Sequence, residues 1–164
     1  MAVYTKIDKS DIKLINTKFK IEKIISFQGI KQGIENTNYL LKSKDKKFIL
    51  TIFEKRVSNK EVPFFMKLMD KLNSSKINCP KPLRTKSDSY LIKLKKKTAC
   101  IVSFLEGKDK KKLNIKDCYT IGKTTAQMHL VTEKLKLYRK NSMGIKSLNP
   151  LLKSIKFKDN KFSK

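Results

Sequence analysis

The 164-residue sequence contains no tryptophan, one histidine, five glycines and three cysteines. Cys79, Cys100 and Cys118 lie far apart and form no Cys-x-x-Cys pair. With a single histidine beside them, neither a zinc site nor a disulfide framework is supported. His129 has no serine, cysteine or aspartate placed to complete a nucleophilic triad. No apolar run approaches the ~18 residues that a membrane-spanning helix needs. Residues 1–10 lack the apolar centre of a secretory leader. These absences predict a reduced, cytoplasmic chain with no membrane partner, and they leave the oligomeric state open.

Negative charge is also scarce. Lysine and arginine number 40 against 14 acidic residues, a formal charge of +26, and only Arg56, Arg84 and Arg139 are arginines. Such a chain attracts polyanions. The lysines are scattered through every segment, however, and arginine is the preferred reader of phosphates and base edges. No KH-type clamp or aromatic RNA-binding signature is present. The balance predicts no specific nucleic-acid partner, and a basic nucleic-acid-associated protein stays as the alternative from another class.

What is present suffices for a core: 39% of residues are hydrophobic, with nine phenylalanines and five tyrosines. Ile12, Ile15 and Phe19 predict a helix over residues 8–19, capped by Ser10 or Asp11. Runs over 24–30, 37–43 and 47–54, separated by glycine and polar residues, predict three strands. Residues 48–53 are apolar on both faces except at Thr51, as in a strand covered on both sides. A helix follows, with Ser58 and Glu61 as a capping box, Pro63 in its first turn, and a stripe of Val62, Phe65, Leu68, Met69 and Leu72. Pro80 and Pro82 mark an extended crossing. Two more strands, 89–94 and 98–105, flank a turn at 95–97. A lysine-rich linker from Gly107 leads to a long helix over 114–137, with Cys118, Ile121, Gly122, Thr125, Met128 and Thr132 on one side. Beyond Arg139 only Leu151, Leu152 and Ile155 form an apolar patch, which is expected to pack poorly. The order predicts an α+β fold: a five-stranded antiparallel sheet with one inserted helix, as in the small lobe of kinase-like phosphotransferases. Residues 1–106 would form a nucleotide-binding lobe with a leading helix, and 107–164 the start of a helical second lobe.

Seven blocks then carry a resemblance: SFQGIKQGIENTNYLL from Ser26, KFILTIFEKRV from Lys47, PFFMKLMDKL from Pro63, CPKP from Cys79, ACIVSFLEGK from Ala99, TAQMHL from Thr125 and RKNSMGIKSLNPL from Arg139. With the MAVYT opening, they resemble bacterial homoserine kinases of the aminoglycoside-phosphotransferase/choline-kinase type, over residues 1–152. The resemblance implies a protein kinase-like N-lobe followed by the first helices of a helical C-lobe. It implies ATP-dependent phosphorylation of the L-homoserine hydroxyl to O-phospho-L-homoserine, a step of threonine biosynthesis, with ATP and Mg²⁺ as cofactors and L-homoserine as partner. Kinases of the same fold acting on choline, methylthioribose or an aminoglycoside are the nearer alternative. Members are about twice this length and carry a His-Gly-Asp catalytic loop, a downstream asparagine and the metal-binding aspartate in their second half. Here Glu133 and Asp159 are the acidic residues after His129. The expectation is therefore an N-terminal half, inactive alone, with no catalytic residue and no metal ligand of its own.

The same resemblance implies where a nucleotide sits. Gly29, Gly33, Asn36 and Asn38 would form a loop whose amides approach phosphates; by themselves they read equally as a Gly/Asn hairpin turn. Thr51 occupies the third-strand point where kinase-like folds usually carry a cation. Lys42, Lys55 or Arg56 would then neutralise phosphate, unless each is only solvated surface charge. Ser103, Phe104 and Leu105 would be the hinge whose backbone meets adenine. Glu61 is expected as a cap rather than an ion-pairing partner in catalysis, and His129 as a packing or hydrogen-bonding residue.

Overall fold

The computed structural model describes residues 3–54, 60–141 and 144–154. Helix α1 (Lys9–Lys18) starts at Asp8, whose carboxylate accepts from the N–H groups of Ser10 and Asp11, while Asp11 Oδ2 accepts from Asp8 N at 2.9 Å. The expected cap at Ser10 or Asp11 is thus corrected. Asp8 and Asp11 satisfy each other's orphan donors as a reciprocal box, so Asp11 is the box's second member.

The sheet comprises β1 (Ser26–Gly29), β2 (Thr37–Lys42), β3 (Lys47–Ile52), β4 (Leu91–Leu94) and β5 (Lys97–Ser103), in the order β1-β2-β3-β5-β4. Every pairing is antiparallel, and α2 (Val62–Ser74) lies between β3 and β4 in the chain, as predicted. The first strand is shorter than expected. Asn16 accepts from Ile24 N at 2.8 Å through its side-chain oxygen and donates to Ile24 O at 3.4 Å. The α1 side chain thereby takes the place of a strand partner. Ser58 lies outside the described residues. Glu61 is the residue before α2 and makes no side-chain bond to its first turn, while the expected box with Ser58 falls outside the described residues.

Side-chain alternation along β3 assigns the two faces of the sheet. Phe48, Leu50 and Ile52 are buried with Ile12, Ile15 and Phe19 in the larger core. Ile49 packs on the other side, where Val62 and Met66 of α2 cover Cys100 and Val102. Met66, absent from the expected stripe, supplies the centre of that contact. The β4–β5 hairpin turns on Lys95 and Lys96 at φ 48° and 64°. Two left-handed residues suit a two-residue hairpin turn, normally made by Asn-Gly. Lys95 Nζ also bonds Asp8 at 2.7 Å and Asp11 at 3.1 Å, tying the turn to the start of α1. The proline segment extends the sheet: Leu83 N donates to Ile101 O at 2.9 Å, and Pro82 bridges Val102.

Helix α3 (Ile115–Glu133) is capped by Asn114 and Asp117 in a second box and ends four residues before the expected Leu137. None of its residues is buried, and Ile121 and Met128 are 53% and 38% exposed. The side expected to pack therefore faces solvent. Replacing Asn114 by alanine should fray the first turn, at about 1 kcal/mol. Faster amide exchange at residues 115–118 is the check, and unchanged exchange would deny the cap any role. Helix α4 (Ile145–Ser154) falls where the residue pattern alone assigned no element; Gly144 O starts it by accepting from Ser147 N at 2.8 Å. Leu151 and Leu152 remain more than half exposed, while Ile155 lies outside the described residues.

Candidate functional site

Helix α2 covers the second face of the sheet over β3, β5 and β4. Over β1 and β2 the described residues leave that face open. Two shallow depressions lie there and share Gln28 and Leu40. One, of about 440 Å³, reaches Lys31 and Gln32; the other, of about 260 Å³, reaches Ser26 and Lys42. They follow from register. Gln28 stands opposite Leu40, and Asn38 stands opposite Thr51 on the same face.

The structure brings Asn38 and Thr51 together: the Thr51 hydroxyl donates to Asn38 Oδ1 at 2.8 Å. Asn36 lies one step further along, its Oδ1 accepting from Glu54 N at 3.3 Å. Gly33, at φ +105°, has open space where a side chain would be, so the 30–36 loop turns there in a way that favours glycine. Gly29 ends β1 and lines the larger depression with its backbone, while a Cβ added to it would point the other way, 2.9 Å from Val3 Cγ2.

Ser103, Phe104 and Leu105 stand at the other end of β3. Thr51 is three strand positions from Phe48, the residue opposite Ser103, or roughly 10 Å. Ser103 holds the proline segment, its hydroxyl accepting from Lys81 N at 2.8 Å and its N–H donating to Lys81 O at 2.9 Å. Phe104 N donates to Lys47 O at 3.2 Å. Lys47 Nζ lies 5.3 Å above the Phe104 ring and bonds Glu106 at 2.8 Å. Leu105 follows, 40% exposed.

Of the expected cations, Lys42 is exposed at the end of β2, whereas Lys55 and Arg56 lie outside the described residues. Glu61 forms a structural ion pair. Arg139 bonds it at 2.9 Å and stacks 5.1 Å from the Phe65 ring, joining the start of α2 to the segment after α3. His129 is exposed on α3 and does not pack among the described residues. Burial pushes the Cys100 thiol up to about 12, which removes it as a nucleophile. Among the described residues, no group of three or more His, Cys, Asp or Glu side chains could hold a metal. The described residues do not by themselves fit a magnesium site.

Sequence reasoning missed a polar cluster beneath the loop. Glu54 Oε1 accepts from the Thr37 hydroxyl at 2.6 Å and the Thr5 hydroxyl at 2.7 Å, and Glu54 pairs with Lys97. Burial alone would raise the Glu54 carboxyl; the bonds from Lys97, Thr37 and Thr5 outweigh it and hold the group below its ordinary value. The signal was available, since Glu54 is in phase with buried Phe48, Leu50 and Ile52 on an otherwise apolar strand.

A five-stranded antiparallel sheet with one helix inserted between its third and fourth strands is the small-lobe fold of a kinase-like phosphotransferase. A family model described as "Phosphotransferase enzyme family" matches residues 26–151. The chain belongs to that family. It is similar to homoserine kinase of Bartonella tribocorum, at 39% identity over 88% of this chain and 46% of the relative. It is also similar to homoserine kinase of Methylocella silvestris, at 35% identity over 96% of this chain and 49% of the relative. The chain thus spans about half the length of the curated relatives it matches. Among solved structures, a spectinomycin phosphotransferase in complex with ADP and spectinomycin superposes with a TM-score of 0.64 at 17% identity, over 95% of this chain and 50% of that one. A microcompartment-associated aminopropanol kinase gives a TM-score of 0.64 at 13% identity, over 85% of this chain and 47% of that one. These two likenesses concern the fold.

Proposed function

We propose that the chain is the ATP-binding lobe, with the first helices of the following lobe, of a cytoplasmic homoserine kinase. The observation that carries this reading is identity of 35–39% to proteins named homoserine kinase along most of the chain. The enzyme would transfer the γ-phosphoryl group of ATP to the hydroxyl of L-homoserine, giving O-phospho-L-homoserine for threonine synthesis. Residues 1–106 would be the nucleotide lobe and 107–164 the start of the helical lobe.

In this reading ATP lies along the open face. Adenine meets the backbone of Ser103, Phe104 and Leu105, and Leu40 offers the base an apolar floor. Gly33, Asn36, Asn38 and Thr51 lie toward the phosphates, where loop N–H groups can donate to phosphate oxygens. Thr51 cannot neutralise phosphate charge. Among the described residues, Lys31 at the edge of the larger depression is a cation near that end, whereas Lys42 pairs with Lys47 at the hinge end, roughly 13 Å along β2 from Asn38. Magnesium would be held outside the described residues.

The test joins this chain to the second half of the Bartonella tribocorum relative and supplies ATP and L-homoserine. The expected result is O-phospho-L-homoserine with matching ADP release, lost on an Asn38→Asp exchange that places negative charge at the phosphate end. A folded hybrid that binds ATP but phosphorylates only choline or spectinomycin would overturn the substrate. A folded hybrid that binds no ATP would overturn the whole reading.

A further inference from the structure

We propose that residues 3–5 form a strap that fixes the 30–36 loop over the open face before any ligand arrives, with the Tyr4 hydroxyl as the positioning group at the loop tip. The proposal rests on the reading of that loop as phosphate-covering. The strap is attached at both stems of the loop. At β2, the Thr37 hydroxyl oxygen accepts from Tyr4 N at 3.0 Å and Thr5 N at 3.1 Å. The Tyr39 hydroxyl donates to Thr5 O at 3.0 Å. At β1, Val3 closes directly over Gly29. A larger residue there requires Val3 to shift, because a Cβ would meet its Cγ2 at 2.9 Å.

From this base Tyr4 reaches the tip, its hydroxyl donating to Ile34 O at 3.0 Å. The tip gains little from packing. Ile34 is 83% exposed, and Gly33 has open space around it. A hydrogen bond from an anchored strap therefore has a large share in selecting the loop's conformation. A loop held in its binding conformation loses less entropy when phosphates dock. Tyr4 touches no phosphate in this scheme; it acts through the loop.

The Tyr4 side chain is itself exposed, so Tyr4→Phe removes one hydroxyl and leaves the core intact. One net hydrogen bond corresponds to roughly a three- to tenfold effect. Amide exchange at residues 32–36 of the unliganded chain should rise by that factor in Tyr4→Phe. ATP affinity should fall by a similar factor, while adenosine, which lacks phosphates, binds as before. Gly29→Ala should loosen the loop by another route, and adding Val3→Ala should restore it. Unchanged loop exchange in Tyr4→Phe overturns the strap, whether or not nucleotide binds. Equal losses for ATP and adenosine overturn the positioning role, because they mark a general structural defect. Failure of the unaltered chain to bind ATP overturns the phosphate role of the loop and, with it, the nucleotide reading; faster exchange in Tyr4→Phe would then still support the strap.

Discussion

Supplied with ATP, magnesium and L-homoserine, the 164-residue chain alone is expected to form no O-phospho-L-homoserine above a blank without protein. Phosphoryl transfer needs the γ-phosphate neutralised, a metal held and a base at the acceptor hydroxyl. Three of the described carboxylates are already engaged. Glu54 is bound by Lys97 and two threonine hydroxyls, and Glu106 by Lys47. Asp117 is held by Lys110 and by the Asn114 N–H. None converges with another into a metal cluster among the described residues. A general base alone contributes about 10²- to 10⁴-fold, and stabilisation of developing charge a further large factor. Losing both places turnover below detection. The lysine surplus does not compensate, because attracting ATP equally in ground and transition states leaves turnover unchanged. Product above the blank, abolished by removing one described carboxylate, would sink this argument and identify the base.

The central strand and the inserted helix were legible because a strand buried on both faces reads as a continuous apolar run and α2 keeps a helical apolar stripe. In Phe48–Ile52, alternate residues enter different cores, and each keeps its apolar character. Legibility failed where one side chain serves two elements. Asn16 replaces a strand partner for Ile24, and Arg139 reaches back 78 residues to Glu61. Neither pairing leaves a local trace. Helix α3 showed an apolar side in sequence, and the structure leaves it exposed, since periodicity reports what a face can bury and not what covers it. In the site, Asn38 and Thr51 were named separately from their resemblance to a family pattern, and the β2–β3 register is what makes them neighbours. Gly29 was grouped with Gly33 by spacing. Strand alternation puts the two to different uses, one under Val3 and the other at the loop turn.

Glu54→Ala is expected to cost about 2–3 kcal/mol, lowering the melting temperature by roughly 5–10 °C for a chain of this size. Breaking a fully buried ion pair costs about 3–5 kcal/mol. The side chain of Glu54 is 9% exposed, but that of Lys97 is 39% exposed and can rehydrate in part, which sets the lower figure. The mutation also removes the acceptor that Thr5 and Thr37 share, and those hydroxyls hold the strap to the stem of the loop. The carboxyl is depressed from its ordinary value of 4.5 despite burial. Its contribution is therefore complete above about pH 4.5 and is lost as pH falls through the lower folded value. The stability gap between the unaltered chain and Glu54→Gln should narrow on acidification below that point and stay constant from pH 6 to 8, which denaturant titrations at several pH values would read. Replacing both partners, Glu54→Leu with Lys97→Met, should recover part of the loss, because an apolar pair carries no desolvation cost. Recovery should stay partial, since Thr5 and Thr37 still lack their acceptor. A loss under 0.5 kcal/mol in Glu54→Ala, with no pH dependence relative to the unaltered chain, would mean that desolvation cancels the pair. The strap would then depend for its anchorage on the Thr37 and Tyr39 hydroxyls alone.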